Sequence, residues 1–545
     1  MEIQQSKSNP SALYTLITVF FFWGFLAASN GVFIPFCKAH FHITQFESQL
    51  IDFTFYGGYF VGALLFYAIS YISKVDILDK LGYKNGIVLG LLVSVLGALV
   101  MIPALHSGTF GFILFALIII TIGFSIQQTA ANPFVVALGP PETGSNRLNF
   151  AGSINNIGTL IGPIAIKIIL FGRASSIIPP DQISLTSVDT LYYVLAGVLL
   201  LLAVFFWVSK LPKVTSDEKI EISKKPNLPL FFLFIAFLLM AGVNQFSAIT
   251  GVPRAFFVYP SLLLVMLTLF LSFTAAKKNK EGWGAMQYPQ LILGMFAIFA
   301  YVGTEATIQS NLGALLKTPE FGGVSESDLA PYISLYWGSL MIGRWTGAIG
   351  AFKLSNTAKY TLLVVVPLVA FGVVLGVNYS SGVDMTKFYP YVFFIFILII
   401  AFFIGRQRPV RTLVVFGLLG ITAMIVGLCT LGHFSTLTLI SGGLCCSIMW
   451  PSIFSLSITG LGKYTAQGSA FLIMMILGGA IIPPIQGFVA DSTQGAISGI
   501  SGIHFSYVVP ALGFAYLAWF AWKVSKELKT QGIDLDHVAV SSAKH

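Results

Sequence analysis

Glu305 stands in the middle of a long apolar run, with Tyr301 four residues before it and Gln309 four residues after. In a helix that spacing puts all three on one face. An ionisable group inside an apolar span is costly and marks either function or a buried partner. A carboxylate there suits a sugar hydroxyl, a sodium ion or a proton; a carboxyl held neutral by a neighbouring helix is the structural alternative. Asp52, followed at the same spacing by Tyr56, is the second candidate for cation coupling. A solvated helix start, where the helix dipole favours an acid, accounts for it equally. Arg344 suits an inner gate closed by a salt bridge, or a side chain that snorkels to the interface.

Neutral groups complete the inventory. Gln128 and Asn132 share a helical face, Asn155 and Asn156 sit mid-run, and Asn30 and Gln309 occupy corresponding places in the two halves. Two amides in an apolar run demand a wet cavity or helix partners. Hydroxyl-rich solutes need such donors and acceptors, and their C–H faces need aromatic surface. Trp337 and Trp450 are the candidate ring platforms. For each amide alone, an interhelical hydrogen bond is an equal reading. No phosphate-cradling glycine loop and no paired histidine ligands occur, so neither an ATP-driven step nor a metal site is expected, and no catalytic residue is assigned.

These groups sit in a chain of 545 residues that is 56% hydrophobic and 9% charged, far below the roughly 25% charge of soluble domains. The net charge of +9 does not point to nucleic acid. Cys429, Cys445 and Cys446 lie in apolar runs and Cys37 stands apart, so no disulfide framework is inferred. The polar Met1–Asn9 runs into an apolar stretch without a small-residue cleavage site, and no removable leader is expected.

A helix crosses the bilayer with about 20 apolar residues. That length gives about sixteen expected spans, at 12–36, 50–73, 86–105, 109–138, 150–171, 190–209, 228–251, 256–276, 287–316, 330–352, 359–378, 387–405, 411–431, 434–459, 466–490 and 504–523. Loops after even-numbered spans hold most of the basic residues: Lys74, Lys80 and Lys84, then Lys210 and Lys213, then Lys277, Lys278 and Lys280. Loops after odd-numbered spans hold little beyond Lys38, Arg173, Arg254, Lys317 and Lys387. Basic loops stay cytoplasmic, which places both termini inside a multi-pass inner-membrane protein.

The halves echo each other. Trp23-Gly24 corresponds to Val302-Gly303 at an offset of 279, and Tyr56-Gly57-Gly58 to Tyr336-Trp337-Gly338 at 280. Farther on, Asn132-Pro133 corresponds to Trp450-Pro451 at 318, and Gly158 with Pro163 to Gly478 with Pro483 at 320. The growing offset implies about 40 added residues, a helix pair near 359–405, and a similar pair lies at 228–276. Removing both leaves six plus six, the organisation of major facilitator transporters. Pro133, Pro163, Pro451 and Pro483 suit bends.

Specific motifs carry a resemblance. Asp79-Lys80-Leu81-Gly82-Tyr83-Lys84 resembles the cytoplasmic loop signature of the major facilitator superfamily. Gln128-Thr-Ala-Ala-Asn132-Pro133-Phe134, Arg147-Leu148-Asn149, Gly343-Arg344-Trp345-Thr346-Gly347 and Pro451-Ser-Ile-Phe454 resemble the fucose:proton symporter family. Tyr336-Trp337-Gly338 and Glu305 lean toward its glucose/galactose branch, and the likeness covers about four fifths of the chain. Asp79 and Arg147, within these motifs, join Arg344 as gating candidates.

The resemblance implies an all-α polytopic membrane protein that imports a hexose-like monosaccharide by cation symport with alternating access. The implied partners are a sugar and membrane lipids, with coupling Na+ or H+, no other cofactor, and a monomeric state. Two departures bear on the mechanism. The family's first-span Asp aligns with Gly31, beside Asn30, and its fourth-span Glu aligns with Gln128. Coupling through those carboxylates does not carry over, which leaves Glu305 as the acid and uncoupled facilitation as the alternative. A membrane-embedded enzyme or receptor would need a catalytic cluster or a signalling domain, and the short loops offer neither. The expected organisation is an N-terminal bundle at 1–210, a linker with a helix pair at 211–285, a C-terminal bundle at 286–530, and a polar tail at 531–545.

Overall fold

The computed structural model describes residues 9–27, 37, 40–41, 45–171, 184–214, 223–325, 328–380, 382–406, 408–495, 500–533 and 535. Every main element is helical, as an apolar chain requires when no water is available to pair its backbone. The first part of the chain forms α1 (Pro10–Ala27), α2 (Gln45–Ser73), α3 (Ile77–His106), α4 (Phe110–Ala137), α5 (Gly144–Phe171) and α6 (Leu185–Val208). Next come α7 (Asn227–Ala241), α8 (Val243–Thr250), α9 (Ala255–Lys278), α10 (Pro289–Ser310), α11 (Leu312–Leu316), α12 (Ala330–Ala348), α13 (Asn356–Ser380) and α14 (Val392–Gly405). The chain finishes with α15 (Pro409–Cys429), α16 (Gly432–Ile440), α17 (Gly442–Cys446), α18 (Met449–Ile458), α19 (Thr465–Met474), α20 (Gly478–Thr493), α21 (Gly502–Phe505) and α22 (Val508–Thr530).

Local chemistry sets many of these ends. The Asp76 carboxylate accepts from the amides of Leu78 at 2.9 Å and Asp79 at 3.3 Å, capping α3. Burial pushes the Asp76 carboxyl up from its ordinary value, and those two donors oppose the shift. Gly82 takes φ 77° and ψ 154°, breaking the helical path inside α3 where a Cβ would be strained. Proline opens α10 at Pro289 and α15 at Pro409, the position where its missing N–H costs nothing.

The chain forms two compact units, and they do not follow chain order throughout. One holds Met1–Pro140, Ala151–Ile222 and Leu461–Ile476; the other holds Pro141–Phe150, Ser223–Gly460 and Leu477–His545. In the first, α3 packs on α4 and α6, α2 packs on α4, and α19 packs on α2 and α4. In the second, α22 packs on α15 and α10, while α10 also packs on α20 and α18.

The expectation of about sixteen spans, with two extra helix pairs, needs correction. Among the described residues twelve helices are long and apolar enough to cross a membrane, or thirteen if the bent pair α7–α8 is one span. The four expected segments outside the twelve differ physically. The apolar helix Pro10–Leu26 is short, α7 and α8 bend by 67° at Gly242, and α12 carries Arg344 among three glycines. α5 opens on Asn146, Arg147 and Asn149 and carries Asn155 and Asn156. Polar residues needed inside a bundle lower the apolarity of the helices that carry them.

The helices of the two expected pairs differ in burial. Only 28% of the α13 window and 33% of the α9 window are buried, against 89% for the span containing α10. The second pair nevertheless reaches inward through Tyr391, whose buried hydroxyl lies 2.7 Å from Ser339 Oγ in α12.

Candidate functional site

The first unit contains a neutral polar network. Trp23 in α1 donates its indole N–H to Gln127 Oε1 at 2.8 Å, and Gln127 donates to Ser94 Oγ at 3.1 Å. Ser94 in turn donates to the Ile120 carbonyl at 3.1 Å. Gln127 is fully buried, so this chain of bonds ties α1, α3 and α4. The candidate Gln128, one residue on, is half-buried and donates to the Tyr59 hydroxyl at 3.3 Å.

Asn155 donates to the Phe20 carbonyl at 3.0 Å. Beside it α1 and α5 meet through Gly24 and Gly158, where any Cβ would overlap the Asn155 and Phe21 carbonyls. Of the two readings open for this amide, the structure supplies the interhelical bond. Asn156 is also buried. Asn132 is 2% exposed and its amide Nδ2 has no hydrogen-bond partner among the described residues. The next residue, Pro133, lacks the N–H that would pair with the Thr129 carbonyl. Ser469 of α19 donates to that carbonyl instead, at 2.7 Å.

The second unit holds the charged cluster. Tyr301 donates its hydroxyl to Glu305 Oε2, one helical turn away on α10. Arg344 of α12 places Nη2 3.9 Å from the same carboxylate oxygen. That separation is an ion pair without a close hydrogen bond. Arg344 Nε reaches the Ser447 carbonyl at 3.4 Å. Pro451, four residues later, supplies no N–H for that carbonyl. The Tyr336 hydroxyl donates to the backbone carbonyl of Glu305 at 2.7 Å, fixing α12 against α10. The Trp450 ring lies 6.1 Å from Tyr301 and stacks on Phe454 at 6.3 Å. A carboxylate, a guanidinium, a phenol and an indole face thus converge, a set able to pair with hydroxyls while covering an apolar ring face.

Not every candidate joins these groups. Asn30 lies outside the described residues, as does the side chain of Asp52, whose backbone is in α2. Trp337 is 45% exposed and meets Tyr336 edge-on at 5.9 Å; its neighbour supplies the inward contact instead. Gln309 is half-buried on α10. Asp79 lies near Lys213 in the first unit. Arg147 is buried and donates to Thr143, in the turn just before α5, at 2.6 Å. Arg344, read as a gate, pairs with the acid itself.

Sequence reasoning missed Trp23, Gln127, Tyr59 and Tyr336. A usable signal existed for Trp23, since a buried indole N–H demands an acceptor. For the adjacent pair Gln127 and Gln128, only packing decides which one faces its own bundle.

No family model matches the chain. Over 525 residues it is 29% identical to a glucose/galactose transporter of Brucella abortus, covering 96% of this chain and 97% of the relative. Over 530 residues it is 25% identical to the L-fucose-proton symporter of Escherichia coli, covering 95% and 94%. Among solved structures, the Escherichia coli fucose:proton symporter superposes with a TM-score of 0.63 at 23% identity, covering 94% of this chain and 98% of that one. A bacterial homologue of ferroportin gives 0.54 at 10% identity, covering 94% and 99%, which bears on fold alone. The fold is therefore the all-helical fold of the solved fucose:proton symporter, and over nearly its whole length the chain is similar to relatives named as glucose/galactose transporters and L-fucose-proton symporters, which are transporters rather than enzymes.

Proposed function

We propose that the chain is a secondary transporter of the inner membrane that imports a hexose-like monosaccharide by cation symport with alternating access, its termini on the cytoplasmic side. The observation that carries this reading is the half-buried Glu305, bonded to Tyr301, facing Arg344, with the Trp450 ring beside Tyr301. Relatives named as sugar transporters align over nearly the whole chain. In this reading Trp450 covers the sugar's C–H face, while Tyr301, Glu305 and Arg344 exchange their mutual bonds for bonds to its hydroxyls. A proton or sodium ion entering at Glu305 competes with Arg344 for the carboxylate. Loading the cation thereby frees the guanidinium for sugar, which links the two ligands.

The alternative is uncoupled facilitation, and one observation favours it. Arg344 already balances the Glu305 charge, so transport of a neutral solute needs no cation. The purified protein in liposomes separates the readings, with a hexose panel tested with and without sodium and pH gradients. Symport predicts gradient-dependent accumulation that Glu305→Gln abolishes while counterflow persists. Accumulation that survives in both Glu305→Gln and Asp52→Asn removes these acids from coupling.

A further inference from the structure

One end of the second unit gathers lysines for which sugar transport has no use. Lys277, Lys278 and Lys280 lie at the end of α9 and just beyond it, and Lys523, Lys526 and Lys529 lie on the last turns of α22. Against these six, the described residues of the same segments supply two acids, Glu281 and Glu527. Glu527 is consumed locally. It is 7% exposed and bonds Lys277 at 3.1 Å and Lys523 at 2.9 Å, clamping the end of α9 to α22. The Glu281 backbone carbonyl takes the Lys225 ammonium at 2.7 Å, which brings a further basic side chain to the same turn.

Aromatic rings mark the depth of this cluster. The Lys526 ammonium stands 3.7 Å over the ring of Trp522, which is 50% exposed, and Trp519, one turn earlier, is 43% exposed. Exposed tryptophans on a spanning helix sit at headgroup level. The lysines around and beyond them therefore stand in the plane of lipid phosphates, on the face that the loop charges assign to the cytoplasm. A positive-inside bias alone requires lysines in this loop. It does not require a carboxylate that locks two helices together, or an ammonium seated on an interfacial indole.

We propose that the cleft between the ends of α9 and α22 binds the phosphate headgroup of an anionic phospholipid. Lys278, Lys280 and Lys526 are the headgroup contacts, and Lys277, Lys523 and Glu527 set their spacing. Acyl chains then lie along the lipid-facing side of α9, where Phe270 and Leu271 are exposed. This assigns α9 a lipid-docking role. Charge complementarity selects the occupant, since basic pockets at the cytoplasmic ends of spans suit anionic headgroups.

The test places the full-length protein in nanodiscs of phosphatidylcholine and phosphatidylglycerol and counts retained lipids by native mass spectrometry. Phosphatidylglycerol should be retained in preference to phosphatidylcholine. The triple variant Lys278→Gln, Lys280→Gln, Lys526→Gln should lower that retention about tenfold or more. A control, Lys210→Gln, Lys353→Gln, Lys463→Gln, removes equal charge elsewhere and should stay within about twofold of the parent chain, because screening confines the field to its own neighbourhood. Equal loss in both variants would overturn the site in favour of a diffuse charge effect. Equal retention of the two lipids, or displacement by millimolar inorganic phosphate without any lipid preference, would overturn the lipid assignment. Thermal melting of each variant in detergent separates loss of the clamp from loss of fold.

Discussion

The two units repeat a scaffold but not a chemistry. In the first, Gly158 lies against the Phe21 carbonyl; in the second, Gly478 lies against the Phe299 carbonyl. The proline-freed carbonyl of Thr129 is met by Ser469, and its counterpart at Ser447 by Arg344. Yet the sequence offsets set Glu305 against Leu26 and Arg344 against Leu64. One interior is therefore joined by neutral amides and an indole, and the other by an ion pair. Helix crossings constrain small residues and prolines, because two backbones must touch. The side chains facing inward carry no such constraint and are free to diverge.

The largest effect should come from breaking the charged interior. Arg344→Met strands the Glu305 carboxylate and should cost about 3–5 kcal/mol of stability, with most of it recovered in the Arg344→Met, Glu305→Leu double variant. Melting of the purified variants checks this. A double variant as unstable as the single one would mean that the two groups do not interact. Overpacking the shared crossings comes next. Gly158→Val and Gly478→Val should each cost roughly 1–3 kcal/mol by the same measurement. If one is harmless, the crossings are not equivalent.

In the neutral interior, Gln127→Leu leaves the Trp23 indole donor without its acceptor and the Ser94 hydroxyl oxygen without its donor, and should cost about 1–3 kcal/mol. The ratio of uphill uptake to counterflow should not change, whereas a changed ratio would place coupling in the first unit as well. The smallest effect is expected for Asn155→Leu, about 0.6–1 kcal/mol, in line with interhelical hydrogen bonds in membranes. Its KM for sugar should match the parent chain. A rise of several-fold in liposome uptake would restore Asn155 to the substrate contacts.

The doubled architecture was legible because its signals are local: apolar run lengths, loop lysines, and Gly and Pro at matching offsets. The contact between Glu305 and Tyr301 was legible too, since a lone acid in an apolar run stands out and its i−4 tyrosine lies on the same face. The partner of Arg344 was not, because the acid it faces lies 39 positions away in sequence on another helix. The expected span number exceeded the twelve helices that are long and apolar enough among the described residues for a related reason. Helices such as α12 combine a short length with glycines and a charge that only a bundle interior accommodates.

By itself the sequence determined an all-helical membrane chain, its repeat, its family likeness and the singular acid on α10, because lipid and backbone geometry impose those features residue by residue. Tertiary structure alone decided which amides bind helices to one another and that the acid is paired. It also decided that Tyr336 rather than Trp337 reaches inward. Those outcomes depend on the rotation and separation of helices distant in the chain, and no spacing rule within one helix contains them.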